Sequence, residues 1–283
     1  MLCNSQFSLK LLLKVASLPR STYYYELSKV DIDFTKNKSL CDEIVVIFNE
    51  NKQRYGFRRI HMELLHRGFK VGHNKVLRLM KKMNLHALRP KIKYHSYKGD
   101  VGKKAPNIIE RNFVATKPNE KWTTDVSQFN CPFGKVYLSP ILDMYTSEII
   151  SWDLSLSPNL GQVNNMLNIA FNKYDNLEGL IFHSDQGRQY QHEHYQTRLK
   201  DKGIKQSMSR KGNCYDNSIM ESFFGTLKNE MFYGFENTFN TFDQFYNAIS
   251  EYINYYNYKR IQSKTKWMPP ALYRIASIMI QKL

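Results

Sequence analysis

Three acidic residues stand at positions where a carboxylate is structurally unusual. Asp125 falls inside a run of β-forming residues, KWTTDVSQF, where aspartate is disfavoured. Asp185 ends the apolar run GLIFHSD, and Glu221 follows a polar, glycine-containing loop within a helical pattern. Taken singly, each acid could be a cap, a turn residue or a surface charge, and for Asp185 before Gln186 and Gly187 the turn is an equally good interpretation.

Taken together, these acids predict phosphoryl-transfer chemistry. Three carboxylates that converge at one sheet edge repel each other unless they are protonated or bridged by a cation. Oxygen ligands without paired cysteines favour Mg²⁺ or Mn²⁺ over Zn²⁺. Two such ions, about 3.5–4 Å apart, activate a water or a 3′-hydroxyl and stabilise the leaving oxygen of a phosphodiester. We therefore expect a two-metal site for phosphodiester chemistry.

The elements that must position these acids begin at Lys121. The pattern predicts the order β-β-β-α-β-α-β-α: three strand-forming runs, then helices and short strands in alternation. This order indicates an α/β (α+β) fold of the ribonuclease-H-like type, in which parallel strands extend an antiparallel trio. Within the first strand, period-two alternation places Trp122 on the face opposite Asp125, so Trp122 is interpreted as a core residue.

The charge of the chain is concentrated in its first part. Residues 1–112 hold 23 Lys and Arg against 9 Asp and Glu, whereas residues 113–283 hold 18 against 16, for a total net charge of +16. Such a one-sided field favours a polyanionic partner, because self-repulsion opposes it otherwise. The alternative is a solvated face that only keeps the protein soluble. The asymmetry favours nucleic acid.

The basic part is predicted to be helical. Helical spacing covers 39–51, 54–68 and 75–84, and the second and third patterns each have an apolar stripe: Phe57, Ile60, Leu64 and Leu65, then Val76, Leu79, Met80 and Met83. Short amphipathic helices joined by a glycine-containing turn indicate a helix-turn-helix, although any small helical bundle would show these stripes. The candidate DNA-binding residues in this region are Arg54, Arg58, Arg59, Lys75, Arg78, Lys81 and Lys82.

Between the two parts lies a segment without periodicity. Residues 86–120 are rich in Lys, Pro and Gly and predict a basic linker that lies along DNA. We expect two domains: 1–106, a helical DNA-binding region with the linker, and 107–283, the catalytic core with C-terminal helices. No apolar run approaches the ~18 residues that would span a bilayer, so no membrane association is expected. We expect a cytoplasmic, nucleoid-associated protein.

Three motifs give the chain a family resemblance. WTTD, HSDQGRQY and SMSRKGNCYDNSIMESFFGTLKNE, in this order, resemble bacterial insertion-sequence transposases with the Asp–Asp–Glu core that retroviral integrases share. Asp185 and Glu221 are separated by 35 residues, which is the hallmark spacing of that family. RYGFRRI upstream and YINYYNYKR downstream extend the resemblance over nearly the whole chain.

The resemblance implies roles for particular residues. Asp125, Asp185 and Glu221 would be the ligands of two Mg²⁺ or Mn²⁺ ions. Lys228, seven residues after Glu221, would project from nearly the same helix face and contact substrate phosphate, both as a catalytic and as a DNA-binding residue. An exposed helical lysine is the alternative for Lys228.

Four further residues are expected to support these acids. Asp216 and Asn217 are interpreted as caps of the helix that presents Glu221. His183 and Gln186 flank Asp185 and are candidates to orient it through hydrogen bonds, with core packing as the alternative for His183.

The resemblance also implies an activity and partners. Hydrolysis at a transposon end would free a 3′-hydroxyl, which then attacks a phosphodiester of the target. The partners would be double-stranded DNA (transposon ends and target), further copies of this chain on that DNA, and a short upstream reading-frame protein, separate or fused. Two rivals remain: a DNA-binding regulator with an inactive core, and a ribonuclease-H-like nuclease that cuts without joining.

Overall fold

The structure, a computed structural model, describes residues 8–25, 36–87, 104–210 and 214–281. The chain divides into two compact units, Met1–Ala87 and Leu88–Leu283. Much of the predicted linker and part of the loop before Glu221 lie outside the described residues. Within the described residues, none of the helices combines the length and the apolar character that crossing a bilayer requires.

The first unit is helical. Its helices include α1 (Leu9–Val15), α2 (Lys38–Glu50), α3 (Phe57–His66) and α4 (His73–Lys82). The last three pack through buried side chains that include Ile44, Ile47, Ile60, Leu64, Val76 and Leu79. Gly68, with φ +85°, follows the last turn of α3 and ends it, as predicted.

The predicted apolar stripes are largely confirmed, and Leu65 is the exception. Its side chain is 41% exposed, whereas Leu64 is fully buried. Successive residues of an α-helix are rotated by roughly 100° because a turn takes 3.6 residues. Leu64 and Leu65 therefore do not both face the core, and the prediction for Leu65 is wrong.

The second unit contains a six-stranded mixed sheet. Its strands are β1 (Lys121–Thr124), β2 (Ser127–Cys131), β3 (Gly134–Asp143), β4 (Ile149–Ser155), β5 (Ile181–Ser184) and β6 (Lys205–Met208). Strand β3 pairs antiparallel with β1 and β2 along one edge and with β4 along the other. Strands β5 and β6 extend the sheet from β1 in parallel. The predicted antiparallel trio extended by parallel strands is confirmed.

Helices cover both faces of this sheet. They are α5 (Leu160–Lys173), α6 (Glu193–Asp201), α7 (Ser218–Leu227), α8 (Phe242–Tyr258) and α9 (Pro270–Gln281). One core packs Trp122 and Phe182 against α5 and α6, and the other packs Phe129 and Leu138 against α7 and α8. Trp122 is fully buried, so its interpretation as a core residue is confirmed.

The predicted first strand is interrupted. It was expected to run through Asp125, but β1 ends at Thr124 and β2 begins at Ser127. The register of β1 with β3 continues unchanged into β2 and places Pro140 opposite Asp125. Because proline has no N–H, it cannot complete the ladder there. Asp125 therefore follows β1 instead of lying inside a strand, and that part of the prediction is wrong.

Helix α9 was not predicted as a distinct element. Arg274 on α9 is buried and forms ion pairs with Asp143 at the end of β3 (3.1 Å) and with Glu148 before β4. These ion pairs join the C-terminal helix to the antiparallel part of the sheet.

Candidate active site

Asp125 lies at the break between β1 and β2, on the sheet face that α7 covers. Its Oδ1 accepts a hydrogen bond from the backbone N–H of Val126 (2.7 Å), and its Oδ2 accepts one from Nδ2 of Asn217 (2.9 Å). Burial raises the pKa of Asp125 well above its usual value, and the charges of Asp185 and Glu221 raise it further. Asp185 and Glu221 therefore lie close enough to Asp125 for their charges to act on it.

Asp185 follows β5 at its carboxyl end, beside β1 in the parallel part of the sheet. Its Oδ1 accepts a hydrogen bond from the backbone N–H of Gly187 (2.9 Å), so the turn interpretation is also correct. A Cβ at position 187 would lie 2.9 Å from that Oδ1 and 2.6 Å from Nε2 of Gln189, so a larger residue there would displace these side-chain ends, including the Asp185 carboxylate. Burial raises the pKa of Asp185.

Glu221 lies in the first turn of α7 and is half-buried. Burial raises its pKa. Although the three acids interact, no three acidic, His or Cys side chains among the described residues are arranged so that they could hold a metal ion. Hydrogen bonds from Val126 and Asn217 orient the Asp125 carboxylate, and one from Gly187 orients the Asp185 carboxylate.

Lys228 lies where α7 passes directly into a π-helical segment, Lys228–Phe232. Its Nζ donates a hydrogen bond to the backbone carbonyl of Gln128 on β2 (2.9 Å) and lies 4.8 Å from the centre of the Phe129 ring. Burial lowers the pKa of Lys228 to about 8, and the charge of Asp125 opposes that shift. The side chain is therefore packed against the strand that follows Asp125, which differs from an exposed helical lysine. Single π-helical turns of this kind are frequent at functional sites.

Asn217 has a different role from the predicted one. It occupies the N-cap position of α7, but its side chain makes no capping hydrogen bond. Its Nδ2 donates to Asp125, and its Oδ1 accepts from the hydroxyl of Thr123 at 3.4 Å. The capping prediction is wrong because the packing of α7 against β1 offers the amide a charged partner. Asn217 instead connects the helix that carries Glu221 to the first acid.

Asp216 is also not a cap. Its carboxylate is 1% exposed and accepts hydrogen bonds from Nε of Arg210 (2.9 Å), Nε of Arg111 (3.0 Å) and Nδ2 of Asn107 (3.2 Å). The Arg210 guanidinium holds the pKa of Asp216 well below its usual range, and the backbone N–H of Arg210 and the Arg111 side chain lower it further. The carboxylate therefore anchors residues 107–111 to the turn before α7.

His183 lies in the middle of β5 and does not contact the Asp185 carboxylate. Burial lowers its pKa, so the ring is neutral at pH 7. Its Nε2 donates to the backbone carbonyl of Asp216 (2.9 Å), because a carbonyl only accepts, and its Nδ1 therefore accepts from the hydroxyl of Ser207 (2.9 Å). The prediction that His183 orients Asp185 is wrong, and the alternative of a buried core residue is correct.

Gln186 is likewise engaged elsewhere. Its Nε2 donates to the backbone carbonyl of Ser209 (2.9 Å), beyond the end of β6. The bond connects the loop after β5 to the loop after β6, and the expected hydrogen bond to Asp185 is not formed.

The predicted DNA-binding residues of the first unit lie on α3, α4 and the segment before α3. Those with exposed side chains are Arg58, Lys75, Arg78, Lys81 and Lys82. Arg54 and Arg59 are half-buried, and the guanidinium of Arg59 lies 5.6 Å from the centre of the Tyr55 ring. The exposed basic side of α4 is opposite its buried stripe of Val76, Leu79 and Met80.

Sequence reasoning missed the residues around Asp216. Arg111 was part of a linker without periodicity, and Arg210 and Tyr215 were part of a polar loop. Arg111 reaches Asp216 and Tyr215 across about a hundred residues of chain, so no local pattern could have identified the cluster. The one sequence signal for this cluster was Asp216 itself, the acidic residue directly before Asn217.

The chain matches known families over both units. Residues 115–214 and 221–278 match the family described as the integrase core domain, and residues 36–93 match the HTH-like domain. It is 46% identical over 271 residues to the InsK protein of insertion sequence element IS150 from Escherichia coli (strain K12), covering 95% of this chain and 94% of that protein. It is 36% identical to the transposase for insertion sequence element IS904 from Lactococcus lactis, covering 82% of this chain and 91% of that protein.

Among solved structures, the chain is similar to the catalytic core domain of HTLV-2 integrase in complex with magnesium. That similarity covers 56% of this chain and 97% of that one, with 17% sequence identity and a TM-score of 0.45. The mixed sheet with helices on both faces and the helical first unit establish the predicted ribonuclease-H-like core and helix-turn-helix-like domain. Similarity to insertion-sequence proteins along almost its whole length shows that this chain belongs to the family of insertion-sequence transposases with an integrase-type core.

Proposed function

We propose that this transposase cuts DNA at the ends of its element and joins the freed 3′-hydroxyl to target DNA, with Asp125, Asp185 and Glu221 as the ligands of two divalent ions, Mg²⁺ or Mn²⁺. Ions of this type, when bound, activate the attacking hydroxyl and stabilise the leaving oxygen of a phosphodiester. The observation that carries the proposal is the placement of the three acids. Asp125 and Asp185 follow the adjacent parallel strands β1 and β5. Asn217, at the start of the helix that carries Glu221, donates a hydrogen bond to Asp125.

The donor set suits such ions. All three side chains offer carboxylate oxygens, which hard divalent cations prefer. Burial and the charges of Asp185 and Glu221 raise the pKa of Asp125, and the opposing charge of Lys228 only partly offsets this penalty on the ionised form. A bound divalent ion would remove this penalty. The acids would move closer on binding, because among the described residues no three such side chains are now arranged to hold an ion.

The chain's own residues would then position the DNA. Asn217 donates a hydrogen bond to one oxygen of the Asp125 carboxylate, and the other oxygen accepts one from the backbone N–H of Val126. Lys228 lies next to this site with its charge directed at the start of β2. A lysine there can contact a non-bridging phosphate oxygen as a point charge, which fits the role expected for it.

The basic first unit would supply most of the affinity for DNA. Side chains that project from α4 can neutralise phosphates, which is the main source of sequence-independent affinity. We propose that α4 is the recognition helix, and that Arg54, Arg58 and Arg59 contact the DNA backbone nearby. The proposal includes assembly of several copies on the paired ends, and cooperation with a short upstream reading-frame protein, separate or fused.

The proposal is tested with linear duplexes that end in the repeats flanking the gene. Asp125→Asn, Asp185→Asn and Glu221→Gln are expected to abolish Mg²⁺-dependent cleavage and strand transfer, while gel-shift affinity for the same duplex stays within a factor of about two. Glu178→Gln, which changes an exposed acid before the start of β5, at the opposite end of that strand from Asp185, is the matched control and is expected to keep full activity.

Each rival predicts a different outcome. A DNA-binding regulator with an inactive core would show no cleavage even in the unmodified protein. A ribonuclease-H-like nuclease would cut but never produce joined products. Full activity in any one of the three acid variants would refute the proposed metal ligands.

A further inference from the structure

Tyr215 is a large aromatic residue exposed next to the acids. It belongs to the 3₁₀ turn Cys214–Asn217, which lies between β6 and α7, and 71% of its surface is exposed. Two residues later, Asn217 donates to the Asp125 carboxylate. Two residues span at most about 7 Å of chain, so the Tyr215 backbone lies close to the catalytic acids.

The turn that carries Tyr215 is anchored to the interior through the residue that follows Tyr215. The adjacent Asp216 is buried, its carboxylate is bound to Arg111 and Arg210, and its backbone carbonyl accepts from His183 on β5. Because these contacts hold Asp216 in the interior, the adjacent Tyr215 ring remains exposed to solvent.

Two arginine side chains lie at the turn that carries the ring. The guanidinium of Arg111 lies 5.8 Å from the ring centre, and the side chains of Arg111 and Arg210 are 49% and 57% exposed. Both guanidinium groups bond to the buried Asp216 carboxylate, and Glu110 adds a second negative charge near Arg210, so the feature that a phosphate can use is the exposed guanidinium surface and not a surplus of charge. An exposed aromatic face beside exposed arginine side chains fits a nucleotide, whose base stacks on the ring while its phosphate binds a guanidinium.

We propose that Tyr215, Arg111 and Arg210 bind one unpaired nucleotide of the DNA strand next to the scissile phosphate. The nucleotide must be unpaired because the bases of an intact duplex cover each other's faces. Holding it would set the register of the strand over Asp125, Asp185 and Glu221. This inference rests on the proposed function only in assigning DNA to that surface.

The test measures binding in EDTA, so that no cleavage is involved. Fluorescence anisotropy compares a labelled fork, which is a duplex with three unpaired nucleotides at one end, with a fully paired duplex of equal length. Tyr215→Leu is expected to weaken binding of the fork about 5- to 150-fold, the range for loss of one base stack, and to leave paired-duplex binding unchanged. Tyr215→Phe keeps the ring and is expected to bind the fork normally. Tyr258→Leu, which removes another exposed tyrosine, is the matched control.

A second arm uses the unmodified protein and does not depend on the folding of any variant. Abasic sites in place of the three unpaired nucleotides are expected to lower fork affinity to that of Tyr215→Leu. An abasic fork that binds as tightly as the normal fork would overturn the proposal, as would an equal loss by Tyr215→Leu on fork and paired duplex. The cleavage assay of the acid variants can fail independently of this result, because binding in EDTA requires neither metal nor chemistry.

Discussion

The buried ion pair between Glu230 and Arg260 allows the cost of an uncompensated charge to be predicted. Glu230 lies in the π-helical segment that begins at Lys228, and Arg260 follows α8. Their side chains are 10% and 6% exposed, and Nη2 of Arg260 donates to Oε1 of Glu230 at 2.8 Å. Oε2 of Glu230 also accepts from the hydroxyl of Tyr252 (3.0 Å). Glu230→Gln keeps the shape of the side chain and removes the charge that Arg260 needs.

The expected loss of stability follows from the buried Arg260 charge, which the substitution leaves without its carboxylate. Removing one partner of a buried ion pair costs about 3–5 kcal/mol, because the other charge stays in the interior without compensation. The near-complete burial of Arg260 places this pair in that class and not among surface pairs, which contribute about 0–1 kcal/mol. For a unit of this size, the loss corresponds to a decrease in Tm of roughly 6–20 °C.

Tryptophan fluorescence during urea unfolding is the appropriate assay. The three tryptophans, Trp122, Trp152 and Trp267, all belong to the second unit, so the signal reports on that unit alone. Glu178→Gln, at an exposed acid, is expected to change the free energy of unfolding by less than about 0.5 kcal/mol.

A double variant separates the effect of desolvation from that of the missing ion pair. Glu230→Met combined with Arg260→Met removes both buried charges and is expected to be more stable than Glu230→Gln alone, even though Tyr252 loses its acceptor. The reasoning is refuted if Glu230→Gln costs less than about 1 kcal/mol, or if the double variant is the less stable of the two.

Two further predictions concern function. Asn217→Leu removes the hydrogen bond to Asp125 and is expected to lower Mg²⁺ affinity or cleavage activity about 10- to 100-fold; titrating Mg²⁺ in the cleavage assay measures this, and an unchanged profile would mean that Asn217 does not position the acid. Replacing the exposed basic residues of α4 by glutamine is expected to weaken DNA binding and to lower the slope of log K against log salt concentration by about 0.9 for each phosphate that is no longer neutralised, so an unchanged slope would place the DNA elsewhere. The residues changed together are Arg78, Lys81 and Lys82.

Local and periodic features of the sequence were sufficient to predict most of the architecture. The strands and helices of the core follow from hydrophobic periodicity, which depends on residues only a few positions apart. The positions of Asp185 after a strand and of Glu221 in a helix could be predicted in the same way. The concentration of basic residues in the first part of the chain is a property of composition alone.

The tertiary structure decided the partners of the polar side chains. Asn217 has the sequence context of a cap, yet it bonds to Asp125, which is 92 residues away in the chain. A local cap and a distant carboxylate compete for the same amide, and the outcome depends on how closely α7 packs against β1.

The same reason explains the break at Asp125 and the anchoring of Asp216. Pro140 interrupts the ladder from the neighbouring strand, and Arg111 reaches Asp216 from outside the sheet. Propensities describe a residue among its chain neighbours, whereas these interactions join residues that only the folded sheet brings within hydrogen-bonding distance. The sequence alone therefore determined which acids are available and on which elements they lie, and the packing of α7 against the sheet determined what supports them.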